Sequence, residues 1–204
     1  MSGTAEDPPG PERPSERGGG PERPSERGGG PERPSERGGG PEGTDAASIN
    51  QARFRQILGH FATGVTVVTA LDGGTPVGLS VNSFTSVSLD PPLVAFCVAR
   101  SSGTWPRIRE AGRFCVNVLA ENQEDVSRVF ATRGPDKFQG IGWRPAPSGA
   151  PILAGVLAWV DCSLEAEYDG GDHVLVVGRV QELELSTEGG PLIFYRGGYG
   201  RFEP

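Results

Sequence analysis

Residues 78–92 read Gly78-Leu-Ser-Val-Asn-Ser-Phe-Thr-Ser-Val-Ser-Leu-Asp-Pro-Pro92. The stretch begins as a strand, passes through Ser80, Asn82, Ser83, Thr85, Ser86 and Ser88, and stops at two prolines. It carries no charge before Asp90. Hydroxyls and an amide on small side chains can hydrogen-bond the edge of a planar polar ligand while the backbone comes close. The same composition also suits a plain Ser/Thr-rich edge strand and turn. What flanks the stretch decides between them.

Upstream, Val65-Thr-Val-Val-Thr-Ala70 is a β-branched run and Asp72-Gly-Gly74 is a hairpin signal. The quoted stretch therefore returns as a second strand, Val77 to about Leu89. Before this pair, Ala46 to Thr63 reads as a helix. Ser48 or Asn50 can cap it, and Phe54, Ile57, Leu58 and Phe61 fall at helical spacing. Downstream, Leu93–Val98 is a third strand. Ser101-Ser-Gly-Thr104 then leads into a short helix from Trp105. A strand, small polar loop and helix start in that order present N–H groups and hydroxyls. They can take a phosphate, with Arg100 nearby for charge, or simply cap the helix. The loop lacks the Gly and Lys spacing of a Walker loop.

Phe114–Leu119 is a fourth strand, and Asn122 caps a helix running to about Thr132. Gly134–Phe138 and Trp143–Pro145 form loops that close over the fold. Leu157 to Tyr168 is a long strand turning at Asp169-Gly-Gly171, and its partner runs from Asp172 through Glu184. Pro191–Tyr195 is the last strand, followed by Gly197-Gly-Tyr-Gly200. Seven or so strands with few short helices predict a mainly β fold, a closed antiparallel barrel. No Gly-x-Gly-x-x-Gly follows a strand, which sets aside a Rossmann cofactor site.

The first 45 residues differ in kind. Pro-Glu-Arg-Pro-Ser-Glu-Arg-Gly-Gly-Gly occurs three times between residues 11 and 40. No aromatic residue precedes Phe54, and Ile49 is the first Val, Leu or Ile. So little apolar surface does not offset the entropy of ordering a backbone. Residues 1–45 are expected to be a disordered low-complexity leader, and 46–204 one folded domain. The leader has no apolar run of the signal-peptide kind, and no stretch is of membrane-spanning length. The domain holds sixteen acidic and thirteen basic side chains, a net charge of −3, with Lys137 its single lysine. That balance excludes a nucleic-acid footprint. Cys97, Cys115 and Cys162 lie in apolar contexts and read as buried thiols of a reducing, cytoplasmic compartment. With His60 and His173 as the only histidines, no metal site is expected.

Catalytic constellations are scarce. No Gly-x-Ser-x-Gly elbow occurs. Asp161, Glu165, Glu167 and Asp169 are two or four apart on one strand, which predicts a shared, solvated face rather than a catalytic carboxylate pair. A chain poor in acids, bases and nucleophiles can still be an enzyme when a cofactor carries the chemistry.

Five motifs occur in order: Phe61-Ala-Thr-Gly-Val-Thr-Val-Val-Thr69, the Gly78–Pro92 stretch, Phe114-Cys-Val-Asn-Val-Leu119, Gly171-Asp-His173 with Val177-Gly-Arg-Val180, and Pro191-Leu-Ile-Phe-Tyr-Arg-Gly-Gly-Tyr199. The series closely resembles the flavin reductase components of bacterial two-component flavin-dependent monooxygenases, over roughly residues 50–202. The resemblance implies a split β-barrel that binds FMN or FAD and forms a homodimer with the flavin near the subunit interface. It implies oxidation of NADH or NADPH and release of reduced flavin to a partner monooxygenase.

By the same resemblance, the flavin meets the strand carrying Val77, Gly78, Leu79, Ser80, Asn82 and Ser83, and the strand end Cys97, Val98 and Ala99. Its phosphate region matches Ser101, Ser102, Gly103 and Thr104. The nicotinamide side matches His173, the catalytic candidate, and Ile193, Phe194, Tyr195 and Arg196. The residue chemistry is compatible. Backbone N–H and hydroxyl groups stabilise charge growing on a reduced ring edge, and hydride transfer needs stacking more than an acid or base. His173 orients a nicotinamide or makes one local turn bond. Arg196 meets a phosphate or solvates the chain, and Tyr199 lids the site or fills a barrel mouth. Two other readings stand beside the reductase: a related split-barrel oxidoreductase of the ferric reductase kind, and a flavin-binding module without turnover.

Overall fold

The computed structural model describes residues 49–134 and 136–203, so the repeat leader and the expected boundary at residue 46 lie outside the described residues. Helix α1 (Gln51–Leu58) starts where the Asn50 side chain accepts from the N–H groups of Ala52 and Arg53. It ends earlier than the expected Thr63. His60 and Phe61 turn back tightly onto the Ile57 and Leu58 carbonyls, and Thr63–Gly64 is already a strand, β1. The apolar residues Phe54, Ile57, Leu58 and Phe61 are each more than half exposed, so their helical spacing does not mark a core face.

Strands β2 (Thr66–Asp72) and β3 (Thr75–Val81) form the expected hairpin. Gly73 and Gly74 take φ of 55° and 88°, the conformation that matches a tight turn to the twist of its strands. The expected continuation from Val77 to Leu89 is instead two strands. β3 stops at Val81, and β4 (Thr85–Leu89) pairs with β5 (Pro92–Ala99) at the opposite edge of the same sheet. Asn82-Ser-Phe84 makes the crossing. There the Ser83 hydroxyl accepts from the Cys97 N–H at 2.8 Å, a side chain standing in for the next ladder bond. Asp90 and Pro91 join β4 to β5 through a cis peptide bond.

Helix α2 (Trp105–Ala111), strand β6 (Arg113–Val118) and helix α3 (Glu124–Ala131) follow. Gln123, not Asn122, occupies the N-cap of α3. Its amide accepts from the Ala120 N–H and donates to the Ala154 carbonyl. β7 (Trp143–Pro145) pairs with β8 (Pro151–Leu153), and β9 (Ala158–Gly170) forms a long hairpin with β10 (His173–Leu185). The glycine-rich tail folds back on β11 (Leu192–Tyr195) as β12 (Gly198–Arg201). Glycines flanking Tyr199 have low strand propensity, and hydrogen bonding to β11 overrides it.

Among the described residues the twelve strands form a seven-stranded antiparallel sheet ordered β3-β2-β6-β9-β10-β5-β4, a three-stranded sheet β1-β11-β12 and the β7-β8 pair. The mainly β antiparallel expectation holds, but no backbone ladder joins the edge strands β3 and β4. Both faces of β2 and β6 are covered. One apolar cluster joins Val68, Leu79, Phe96, Phe114 and Val176 with Trp105 and Ile108 of α2, and Phe96 meets Trp105 and Phe114 edge-on. The other joins Val67, Leu119, Phe130, Ile152 and Trp159. In that second layer the Asn117 amide donates to the Val67 and Pro151 carbonyls and accepts from the Leu153 N–H, fastening β8 to β2 and β6.

Two further expectations change. Asp161 is 1% exposed and accepts from the N–H and hydroxyl of Ser148. A bulge at Glu165 breaks the strand alternation that would have grouped it with Glu167. Glu167 instead accepts from the Trp105 indole N–H. Of the thiols, Cys115 and Cys162 are buried, and burial pushes the Cys162 pKa up to about 12 and that of Cys115 higher still. Cys97 is exposed, because β5 turns that position away from the core. No helix among the described residues is long and apolar enough to cross a membrane.

Candidate functional site

On β3, Val77, Leu79 and Val81 face the core cluster, while Gly78 and Ser80 face α3. A Cβ on Gly78 would sit 2.7 Å from the Phe130 ring and 3.1 Å from the Val68 carbonyl oxygen, so α3 lies directly on the β3 backbone. Beyond α3 the chain turns back, and Lys137 Nζ donates to the Gly78 and Phe130 carbonyls, each at 3.1 Å. Burial lowers the Lys137 pKa from its ordinary value.

This wall faces the ends of β3 and β5 and the loop before α2 across a cavity of about 650 Å³. That size is typical of small-molecule sites. Leu79, Ser80, Asn82 and Ser83 line one side, with Cys97, Val98 and Ala99 beside them. Ser101, Ser102, Gly103 and Thr104 line it as well, and His173 stands at the rim. These sequence-derived positions, scattered over nearly a hundred residues, are thus brought together. Within the loop, the Ser102 hydroxyl accepts from the Trp105 N–H.

His173 Nδ1 lies 2.8 Å from Asp172 Oδ1. An ionised carboxylate only accepts, so Nδ1 carries the proton and Nε2 of the neutral ring is an acceptor. The same bond holds Asp172 below the usual carboxylate range. Arg100 fixes this hairpin from β5. Its N–H donates to the Asp172 carbonyl, its Nε donates to the Gly171 carbonyl, and its guanidinium pairs with Asp169. Arg100 is therefore engaged away from the loop it was expected to serve.

The other expected positions fall elsewhere. Val77 and Gly78 do not line the cavity, since one is in the core and the other lies beneath Phe130. Ile193, Phe194, Tyr195 and Arg196 also lie outside it. Arg196 sits in the β11–β12 turn with φ of 51° and donates its N–H to the Gly59 carbonyl. Phe194 lines a smaller adjoining cavity of about 200 Å³ together with Tyr199. Tyr199 neither lids the larger cavity nor stands free. Its hydroxyl lies 2.9 Å from Ser127 Oγ, which is 3.0 Å from Ser80 Oγ.

Sequence reading missed the opposite wall, formed by Phe130 to Gly134, Lys137 and, from α2, Arg107. One signal was available: Lys137 is the only lysine in the chain. Among the described residues no aspartate or glutamate lines the cavity, and neither does any nucleophile paired with a base. The surface offers hydroxyls, an amide, a histidine acceptor and cations. Such a surface can bind and orient a planar polar anion.

Known proteins resemble this chain in sequence and fold. Residues 58–203 match the family described as flavin reductase like domain. The chain is 52% identical over 159 residues to HsaB of Rhodococcus jostii, the reductase subunit of a flavin-dependent monooxygenase, covering 78% of this chain and 82% of that one. The solved nitrilotriacetate monooxygenase component B homologue from Mycobacterium thermoresistibile is 49% identical, with a TM-score of 0.75 over 78% of this chain and 90% of its own. The NADH:FAD oxidoreductase SgcE6 of Streptomyces globisporus, solved with NAD and FAD fragments, is 38% identical, with a TM-score of 0.72 over 76% and 94%.

The contact between β3 and α3 makes a direct prediction. Gly78→Ala forces Phe130 to move or the backbone to shift, an overpacking penalty of about 1–3 kcal/mol. Urea unfolding should show a lowered midpoint, and an unchanged midpoint would mean the contact yields freely.

Proposed function

The chain belongs to the flavin reductase-like family, and from that premise we infer that it is an NADH-dependent flavin reductase supplying reduced flavin to a two-component monooxygenase. The observation that carries this reading is the 650 Å³ cavity, whose wall is polar and cationic and, among the described residues, carries no carboxylate. A site of that kind binds and orients reactants that carry their own chemistry. A flavin held along Ser80 to Ser83 would supply the chemistry as a hydride acceptor, with NADH as the hydride donor.

The residues have separable tasks. Ser80, Asn82 and Ser83 offer hydrogen bonds to the ring edge on which negative charge develops. Ser101 to Thr104 lie where the ribityl phosphate of FMN, or the corresponding part of FAD, would extend. His173 presents Nε2 as an acceptor for a carboxamide N–H of the nicotinamide, with its ring orientation set by Asp172. Its role is positioning, since hydride transfer requires a stacked geometry rather than proton transfer.

Three finer points belong to the same reading. The seven-stranded sheet curls into a split barrel, supported by one apolar cluster that contains side chains of both β3 and β5. A second copy of the chain covers α1, supported by the exposed stripe of Phe54, Ile57, Leu58 and Phe61. In such a homodimer, Ile193 to Arg196 would act from outside this chain's own cavity. Residues 46–204 form the catalytic domain, supported by a family match that starts at residue 58. The buried, unpaired thiols Cys115 and Cys162 suit a cytoplasmic setting.

Two measurements test the assignment. Purified protein mixed in air with NADH and either FMN or FAD should consume NADH in a flavin-dependent, saturable manner. Absence of turnover with both flavins would overturn the reading. His173→Ala should raise the KM for NADH up to about tenfold, as expected for one lost hydrogen bond, with flavin Kd little changed. A weakened flavin Kd with unaltered KM for NADH would place His173 at the flavin instead.

A further inference from the structure

A serine in the middle of a helix usually turns its hydroxyl back onto the carbonyl four residues before it, or out to solvent. Ser127 of α3 does neither. It is fully buried, and its Oγ lies 3.0 Å from Ser80 Oγ and 2.9 Å from the Tyr199 hydroxyl oxygen. Three hydroxyls from β3, α3 and β12 thus form one chain. Its inner end, Ser80, lines both the main cavity and the smaller one beside it, whereas Ser127 and Tyr199 line the smaller one and not the main one.

A hydroxyl donates one hydrogen bond and accepts others, so such a chain has a direction. Running outward, it uses the Ser80 proton on Ser127 and leaves the phenol proton without a protein acceptor among the described residues. Running inward, Tyr199 donates to Ser127, Ser127 donates to Ser80, and the Ser80 proton is free to face the cavity. A phenol is a stronger donor and a weaker acceptor than an aliphatic alcohol, which favours the inward sense. Each bond of a chain polarises the next, so a donor at its head strengthens the one at its end. The phenol is also held in place. The Arg128 guanidinium lies over its ring, 5.0 Å from the centroid, and is itself paired with Glu124. Phe194 meets the same ring edge-on at 5.3 Å from the other strand of the hairpin.

We propose that Tyr199 and Ser127 are positioning residues, which aim the Ser80 hydroxyl proton into the cavity and strengthen it as a donor to the ring edge of a reduced flavin. The inference rests on the flavin reductase reading above. Hydride transfer adds two electrons and one proton, hence one negative charge, to an acceptor ring. A hydrogen bond to a charged acceptor is roughly twice as strong as one to a neutral acceptor. The chain of hydroxyls therefore favours the reduced over the oxidised ligand, and neither Tyr199 nor Ser127 needs to touch that ligand to do so.

Equilibrium binding separates this from a purely structural role. The probe is FMN or FAD, whichever the wild-type protein binds more tightly. Its oxidised form is titrated by fluorescence quenching, and its dithionite-reduced form by anaerobic ultrafiltration. Tyr199→Phe, which keeps the ring, should weaken the reduced form about three- to tenfold and leave the oxidised form within about twofold. In a Ser80→Ala background the same substitution should have no further effect, because the end of the chain is gone. Ser127→Ala cuts the chain in α3 and should reproduce Tyr199→Phe, taking its place if that variant does not fold. Equal weakening of both forms by Tyr199→Phe, or a full effect in the Ser80→Ala background, would show that the tyrosine only packs the hairpin and would overturn the proposal. So would unchanged affinity for both forms. Ser80→Ala alone must also weaken the reduced form more than the oxidised one, and an equal loss contradicts the proposal whichever other variants fold. Failure of wild-type protein to bind FMN or FAD in either form would overturn the functional reading itself, a distinct outcome.

Discussion

The absence of a side chain at Gly78 sets the distance between β3 and α3, and the site is built on that distance. With Phe130 resting on the β3 backbone, the end of α3 is brought over the sheet as the far wall of the cavity. The same closeness lets one ammonium reach carbonyls on both elements. A Cβ at position 78 would require the Phe130 ring or the backbone beside it to shift. The contact is therefore both a packing constraint and the origin of the site's shape.

Precision also comes from polar bonds, buried at Asn117 and exposed at Arg100. Asn117 holds β8 against the two strands that are covered on both faces, and Arg100 secures the hairpin that carries His173. Strands satisfied in this way do not rearrange when the surface is remodelled, so the loops at their ends can carry binding groups. Electrostatics adds direction. Residues 46–204 have a net charge of −3, yet Arg107, Arg133 and Lys137 line one cavity and no carboxylate of the described residues lines it. Such a site draws in anionic ligands against the sign of the whole domain.

Much of this was legible in the sequence, for physical reasons that can be named. The β-branched runs gave β2, β5 and β6, and Asp72-Gly-Gly74 gave the first hairpin, because both signals are local. One side of the cavity was legible too, from Ser80 to Ser83, Cys97 to Ala99, Ser101 to Thr104 and His173. The break after Val81 was not, since alternation along a strand does not reveal which neighbour it will pair with. Helical spacing in α1 described an apolar face that this chain leaves exposed. Asp161 and Glu167 were grouped by a period that the bulge at Glu165 interrupts. The wall from Phe130 to Lys137 exists only once α3 has docked. The uniqueness of that lysine was its one visible trace.

The account as a whole is tested most directly by a crystal structure of the protein with FMN bound. It predicts the flavin ring along Ser80 to Ser83, with the phosphate toward Ser101 to Thr104. A flavin lodged outside this cavity, or one whose phosphate points away from Ser101 to Thr104, would contradict it.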